Sequence, residues 1–183
     1  MSKLPGEIVA SALAVTTVLI SLPPYHFPPW AIFIGWAATY AMGGPSVQNM
    51  RRIWPVMPIG SLFAFAIVLG FQEASKHFAG ASFIVSQMVI LFCLNATMML
   101  MSRLPGLGFT PGMFFGFASY FATMFGGFGP VPHDPVWALL AVLPMNALGP
   151  VYAWLKHRYS APEAHGEPMS GMASQARASQ TRA

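Results

Sequence analysis

Residues 81–102 read Ala-Ser-Phe-Ile-Val-Ser-Gln-Met-Val-Ile-Leu-Phe-Cys-Leu-Asn-Ala-Thr-Met-Met-Leu-Met-Ser, without one Asp, Glu, Lys or Arg. A bilayer's hydrocarbon core is about 30 Å thick and takes roughly 20 apolar residues in a helix. This stretch fits that length, and the sequence on both sides repeats its character. No charged residue falls between Glu7 and Arg51, Arg52 and Glu73, Lys76 and Arg103, Arg103 and Asp134, or Asp134 and Lys156. An ionised side chain costs roughly 2.5–3.5 kcal/mol on insertion, so such gaps are what lipid demands. Only 8% of the 183 residues are charged and 55% are hydrophobic, against roughly 25% charged in soluble domains.

Six hydrophobic stretches predict an all-α polytopic membrane protein of about six transmembrane helices, over 4–22, 29–44, 53–71, 81–102, 111–128 and 135–155. The first two are short and call on flanking residues or local bilayer thinning. Pro23-Pro24, Gly43-Gly44-Pro45, Pro105-Gly106 and Gly129-Pro130 separate them, because proline lacks an amide donor and glycine turns cheaply. Lys3 ahead of an apolar run also resembles a signal peptide, but Ser21-Leu22-Pro23-Pro24 is a poor cleavage site, so the segment reads as a span.

Six crossings put Lys3, Arg51, Arg52, Arg103, Lys156 and Arg158 on one side. The positive-inside rule makes that side cytoplasmic, with both termini there and the chain in the cell inner membrane. The other side holds Lys76 with Glu73, and Asp134. Tyr25, Trp30 and Trp137 fall near the outer boundary, and Trp54, Trp154 and Tyr159 near the inner one, as interfacial aromatics do. Residues 1–159 form the membrane domain. Residues 160–183 turn polar and read as a disordered cytoplasmic tail, whose Arg177 and Arg182 reach anionic headgroups or simply stay solvated.

The two halves, about 4–72 and 81–155, share a pattern. Leu22-Pro23, Phe27 and Pro29 match Leu104-Pro105, Phe109 and Pro111 at equal spacing. Gly35-Trp36-Ala37 with Tyr40-Ala41 matches Gly116-Phe117-Ala118 with Phe121-Ala122, and each run reaches a glycine pair. Gly60-Ser61-Leu62-Phe63-Ala64-Phe65 parallels Gly149-Pro150-Val151-Tyr152-Ala153-Trp154. Three spans per half is an odd number, so the second half runs inverted, and an inverted three-plus-three repeat sets equivalent segments face to face at mid-membrane.

The second and fifth spans are rich in small residues. Gly35, Gly112 and Gly116 read as helix-packing positions, with Gly112 and Gly116 in a small-xxx-small pattern. Trp36, Tyr40, Phe117 and Phe121 then either pack or narrow a path between the halves. Asn95 and Asn146 are amides inside spans and need partners; an interhelical hydrogen bond and a solute contact are the two readings. No carboxylate lies deep in a span, whereas coupled carriers commonly use one. A passive channel or permease for a small neutral or weakly charged solute fits better, with a non-transporting accessory or scaffold subunit as the alternative.

No metalloprotease, nucleophile-elbow or phosphate-loop motif occurs, so an enzyme is not expected, nor a metal or cofactor. Cys93 is the only cysteine and supports no disulfide framework. The basic residues are scattered, which argues against nucleic acid despite the formal charge of +4. The expected partners are the lipid bilayer, a small-molecule solute and a second copy of the chain in a homo-oligomer. Phe33-Ile34-Gly35-Trp36-Ala37 followed by Gly43-Gly44, and Asn146-Ala147-Leu148-Gly149 with Ala153-Trp154, resemble a family of small bacterial inner-membrane proteins catalogued only as a domain of unknown function, which includes the enterobacterial protein YcdZ. The resemblance covers roughly residues 5–157 and implies a multi-span inner-membrane fold without naming a substrate. In the Gly60/Gly149 register Met57 stands opposite Asn146, so the halves do not carry a symmetric asparagine pair.

Overall fold

The computed structural model describes residues 4–161, so the tail read from 160 lies, beyond Ala161, outside the described residues. Six helices follow one another: α1 (Gly6–Ile20), α2 (Pro29–Ala41), α3 (Val47–His77), α4 (Gly80–Met101), α5 (Thr110–Phe125) and α6 (Pro135–Tyr159). Proline stands in the first turn of α2, α5 and α6, where its missing N–H costs nothing and its fixed φ suits a helix start. Ser46 caps α3 by accepting the Asn49 amide at 3.1 Å. Asp134 caps α6 by accepting the amides of Val136 and Trp137, both at 2.9 Å.

The helix bounds differ from the sequence expectation at several ends; α2 stops at Ala41 rather than Gly44, and α6 runs on to Tyr159 rather than Leu155. α3 begins six residues before the expected Ile53 and ends six after Phe71. Its polar ends stay helical because Ser46 caps one, and the other carries Glu73 bonded to Lys76 at 2.7 Å and to His77 at 3.2 Å. α5 stops at Phe125 rather than Phe128, since Gly126 and then Gly127, at φ +70°, turn the chain out of the helix.

Helices α3, α4 and α6 are each long and apolar enough to cross a membrane. α1, α2 and α5 have 15, 13 and 16 residues and fall below the usual minimum of about 17. α4 leaves Ile84, Val85, Met88, Val89 and Phe92 exposed, Phe92 by 74%. A helix apolar all round with its large side chains uncovered needs lipid as its solvent. The chain is a membrane-embedded helical protein.

Successive helices alternate in direction. One end of the bundle gathers the start of α1, where Leu4 donates to Tyr159 O and accepts from the Ala161 amide, with the end of α2, the start of α3, the 102–109 loop and the end of α6. Arg51, Arg52, Arg103, Lys156 and Arg158 are at this end. At the opposite end the Gly129 amide donates to His26 O at 2.9 Å, and Trp30 stands edge-on to Phe128. Trp30 turns inward there instead of joining Tyr25 and Trp137 on the surface.

Inside the bundle α2 packs chiefly on α6, and α5 on α3. α4 packs mainly against α3, and α1 against α6 and α2. Ala31, Ile32, Ala64, Tyr120, Ala138 and Val142 are fully buried where the inner four helices meet.

Candidate functional site

The two main crossings are made backbone to backbone. Gly35 of α2 lies on the Asn146 carbonyl and the Cα of Gly149 in α6, and a methyl on either glycine would collide with main chain. Gly116 of α5 lies on the Met57 carbonyl of α3 in the same way, and Gly60 of α3 on the Met113 carbonyl of α5. In lipid no hydrophobic drive pulls helices together, so close van der Waals approach through small residues must do it. Pro150 has no N–H, which leaves the Asn146 carbonyl without its helical donor four residues on. The α2 backbone closes over that carbonyl. Gly112 differs, because a methyl there would meet side chains, the Phe109 ring at 2.6 Å and Val56 Cγ1 at 3.1 Å.

A neutral polar cluster sits beside these crossings. Ser119 Oγ donates to Asn146 Oδ1 at 2.7 Å, with Ser119 fully buried and Asn146 2% exposed. Ser61 Oγ donates across the α3–α5 crossing to Gly116 O at 2.9 Å. Thr39 and Thr123 bond back to the carbonyls of Gly35 and Ser119. No Asp, Glu, Lys, Arg or His is buried among the described residues.

Asn146 Nδ2 has no hydrogen-bond partner among the described residues. Turning the amide over would exchange the orphan for an oxygen without removing it, since only Ser119 is in reach. Asn146 lines a small hollow between α3 and α6 with Ile53, Met57, Pro58, Leu143 and Ala147. The hollow leaves about 10 Å³ for the centre of a water-sized molecule, close to the roughly 10–15 Å³ that one water needs. Trp54 covers it from outside and donates its indole N–H to Ala147 O at 3.1 Å. The other buried unpaired atom among the described residues is Trp30 Nε1, whose ring meets Phe128 at 4.0 Å and 81°.

The remaining sequence-predicted residues do not converge on this point. Trp36 stacks with Phe33 at 6.3 Å, meets Tyr152 edge-on at 6.2 Å, and lines a shallow groove toward Ala10, Ser11 and Ala14 of α1. Tyr40 is exposed at the end of α2, with Lys156 Nζ 5.9 Å from its ring centre. Phe117 and Phe121 pack at 4.8 Å, and Phe121 stacks on Phe125 at 5.6 Å, so they form a ladder along α5. Asn95 is half-buried on α4, outside the inner four helices.

Sequence reasoning gave Ser119 no special role and missed Gly60 and Gly149 as contact points, although both glycines open the matched blocks of α3 and α6. It also missed the bond between Thr16 and the Tyr152 hydroxyl, 2.8 Å, which ties α1 to α6.

An all-helical bundle with lipid-requiring outer surfaces, glycine-mediated crossings and an uncharged polar centre defines an integral membrane protein of the helical class. The family follows from the sequence: residues 7–161 match the family DUF1097, described as proteins of unknown function. The chain belongs to that family. No curated protein and no solved structure matches it.

Proposed function

We propose that the protein is a passive channel or permease of the cell inner membrane for a small neutral or weakly charged solute, with Asn146 and Ser119 at its constriction. The observation that carries this is the Asn146 amide, buried with one end unpaired beside a hollow the size of one water. An amide placed for structure alone would find a second partner, because an unmet buried donor costs about 1–3 kcal/mol. A permeating molecule with a hydrogen-bond acceptor meets that donor in passing. That no carboxylate, lysine, arginine or histidine is buried among the described residues favours passive over proton- or sodium-coupled movement. The reading involves no catalytic step.

The same proposal includes six crossings with both termini cytoplasmic, an inverted three-plus-three repeat, and kinship with YcdZ inside the family. The pairing of Leu4 with Ser160 supports an even number of crossings, and the five basic residues at that end support its being cytoplasmic. Two correspondences support the repeat. Gly35 rests on the Asn146 carbonyl as Gly116 rests on the Met57 carbonyl, which is the register of Gly35 with Gly116 and Gly60 with Gly149. Ser119 meets Asn146, and Ala38 packs in one cluster with Met57 at the corresponding positions.

The test is solute flux into proteoliposomes across ureas, amides, polyols, short-chain acids and ammonia. The protein should accelerate at least one of them over empty liposomes, and Asn146→Leu should lower that rate. Trp36→Ala and Phe117→Ala alter the rate if their rings narrow the path. No acceleration for any solute rejects the proposal.

A second reading, a non-transporting accessory or scaffold subunit, is favoured by the bare apolar face of α4. Purification in mild detergent with mass spectrometry separates the two. A stoichiometric foreign partner without solute flux supports the accessory role, and the same measurement reports a homo-oligomer.

A further inference from the structure

We infer that a cleft at the basic end of the bundle, lined by Arg51, Arg52 and Gly106, binds the phosphate of an anionic phospholipid. Two adjoining hollows meet there. One, about 500 Å³, lies between Ala41 and Met42 of α2, Arg52, and Gly106, Gly108 and Phe109 of the loop before α5. The other, about 540 Å³, lies between Val47, Gln48, Arg51, Arg52 and Pro55 of α3 and the same Gly106. Arg52 and Gly106 border both.

Neither arginine has a counter-charge among the described residues. The ion pairs among the described residues both belong to Glu73 at the other end of α3, and Arg51 and Arg52 are exposed. Consecutive helix positions point about 100° apart, and both arginines border the second hollow while Arg52 also borders the first. A guanidinium fork matches phosphate oxygens in geometry as well as charge. The first turn of α3 adds the positive end of its dipole, with Val47 and Gln48 in the wall. Gly106, at φ +85° and with nothing within 4 Å of a built Cβ, keeps the floor open.

The walls identify the source of the phosphate. Met42 and Phe109 line one hollow and Val47 and Pro55 the other, beside a helix long enough to cross the membrane. The mainly apolar wall of the second hollow beside Arg51 and Arg52 suits a headgroup whose acyl chains run along α3, as basic pockets between membrane helices do. A free phosphate ion gains nothing from it. The assignment does not depend on solute transport.

The full chain, purified in mild detergent, is offered equal amounts of phosphatidylglycerol and phosphatidylethanolamine and examined by native mass spectrometry. The wild type should retain phosphatidylglycerol preferentially, and Arg51→Gln/Arg52→Gln should weaken its retention about tenfold. Both positions are exposed, so the fold should survive. Gly108→Glu, which sets a carboxylate in the cleft from a position with ordinary space around it, should cause a similar loss. Arg103→Gln, outside the cleft, should not. Equal retention of the two lipids overturns the inference, as does equal loss in all the variants. Displacement of the lipid by millimolar inorganic phosphate would assign the cleft to the free ion and overturn the lipid.

Discussion

Gly35 of α2 rests directly on the carbonyl of Asn146 in α6, with no space between them for a methyl group. The contact joins three features that are distant in sequence: a glycine that lets the backbones meet, a carbonyl released from its helix by Pro150, and an asparagine whose side chain turns the other way toward Ser119. A backbone-to-backbone crossing and the buried asparagine amide therefore occupy one place, and a change to either reads out on the other.

Gly35→Ala and Gly116→Ala should each destabilise the protein by about 1–3 kcal/mol or more, the range for forced overpacking. The added methyl meets main chain, which cannot rotate away. Gly112→Ala should cost roughly 1 kcal/mol or less, because the methyl meets the Phe109 ring and Val56, which can adjust. Denaturant unfolding in detergent measures the order. If Gly112→Ala is as damaging as Gly116→Ala, the crossings are not where the packing energy lies.

Asn146→Leu should leave stability nearly unchanged while reducing flux. It removes a bond to Ser119 worth about 0.6–1.7 kcal/mol in membranes, and it also removes an unpaired amide whose burial costs about as much. A double-mutant cycle with Ser119→Ala gives the coupling directly. Unchanged flux in Asn146→Leu, measured on the solute the wild type carries, removes the asparagine from the path.

The helices were legible because lipid enforces a simple pattern. Long uncharged runs broken at Pro23-Pro24, Gly43-Gly44 and Gly129-Pro130 gave each helix, although α1, α2 and α5 are too short to count as spans on length alone. The extra turns of α3 were hidden because Gln48 to Arg52 and Gln72 to His77 are polar, and helix continuity there depends on local caps rather than on hydropathy. Gly35, Gly112 and Gly116 stood out as packing positions from spacing, but what each would meet depends on a helix distant in sequence. Asn146 was conspicuous as an amide in an apolar run. Its pairing with Ser119, 27 residues away, was not legible, since interhelical register leaves no mark on local sequence. The surroundings of the aromatic residues were not legible for the same reason: Trp36 and Phe117 occupy matched positions yet contact different neighbours, Tyr152 in one case and Phe114 and Phe121 in the other.

Tyr152→Phe should loosen α1 while leaving the inner four helices intact. The substitution keeps the ring that meets Trp36 and removes only the hydroxyl bonded to Thr16. The loss should be about 0.6 kcal/mol, the average for such bonds in a membrane. Hydrogen exchange should rise in residues 6–20 and stay constant in α3 and α6. A uniform rise throughout would mean that α1 is no separate unit.

The chain ends offer a test of the crossing count. Leu4 and Ser160 form a parallel bridge, and the Ala161 amide donates to Leu4 O at 2.8 Å. Cysteines at the two positions, in a Cys93→Ser background, should join under mild oxidation in intact membranes, because bridged residues lie within disulfide reach. The linked protein should run as a compact monomer that reductant relaxes. Reporter fusions at residues 48 and 160 should then report the same face of the membrane, and a fusion at 78 the opposite one. Three crossings by α3, α4 and α6 alone would divide the 48 and 160 reporters between the two faces. A cross-link that forms with the reporters divided would keep the bundle and discard the six-crossing topology; reporters together without a cross-link would keep the topology and discard the terminal bridge.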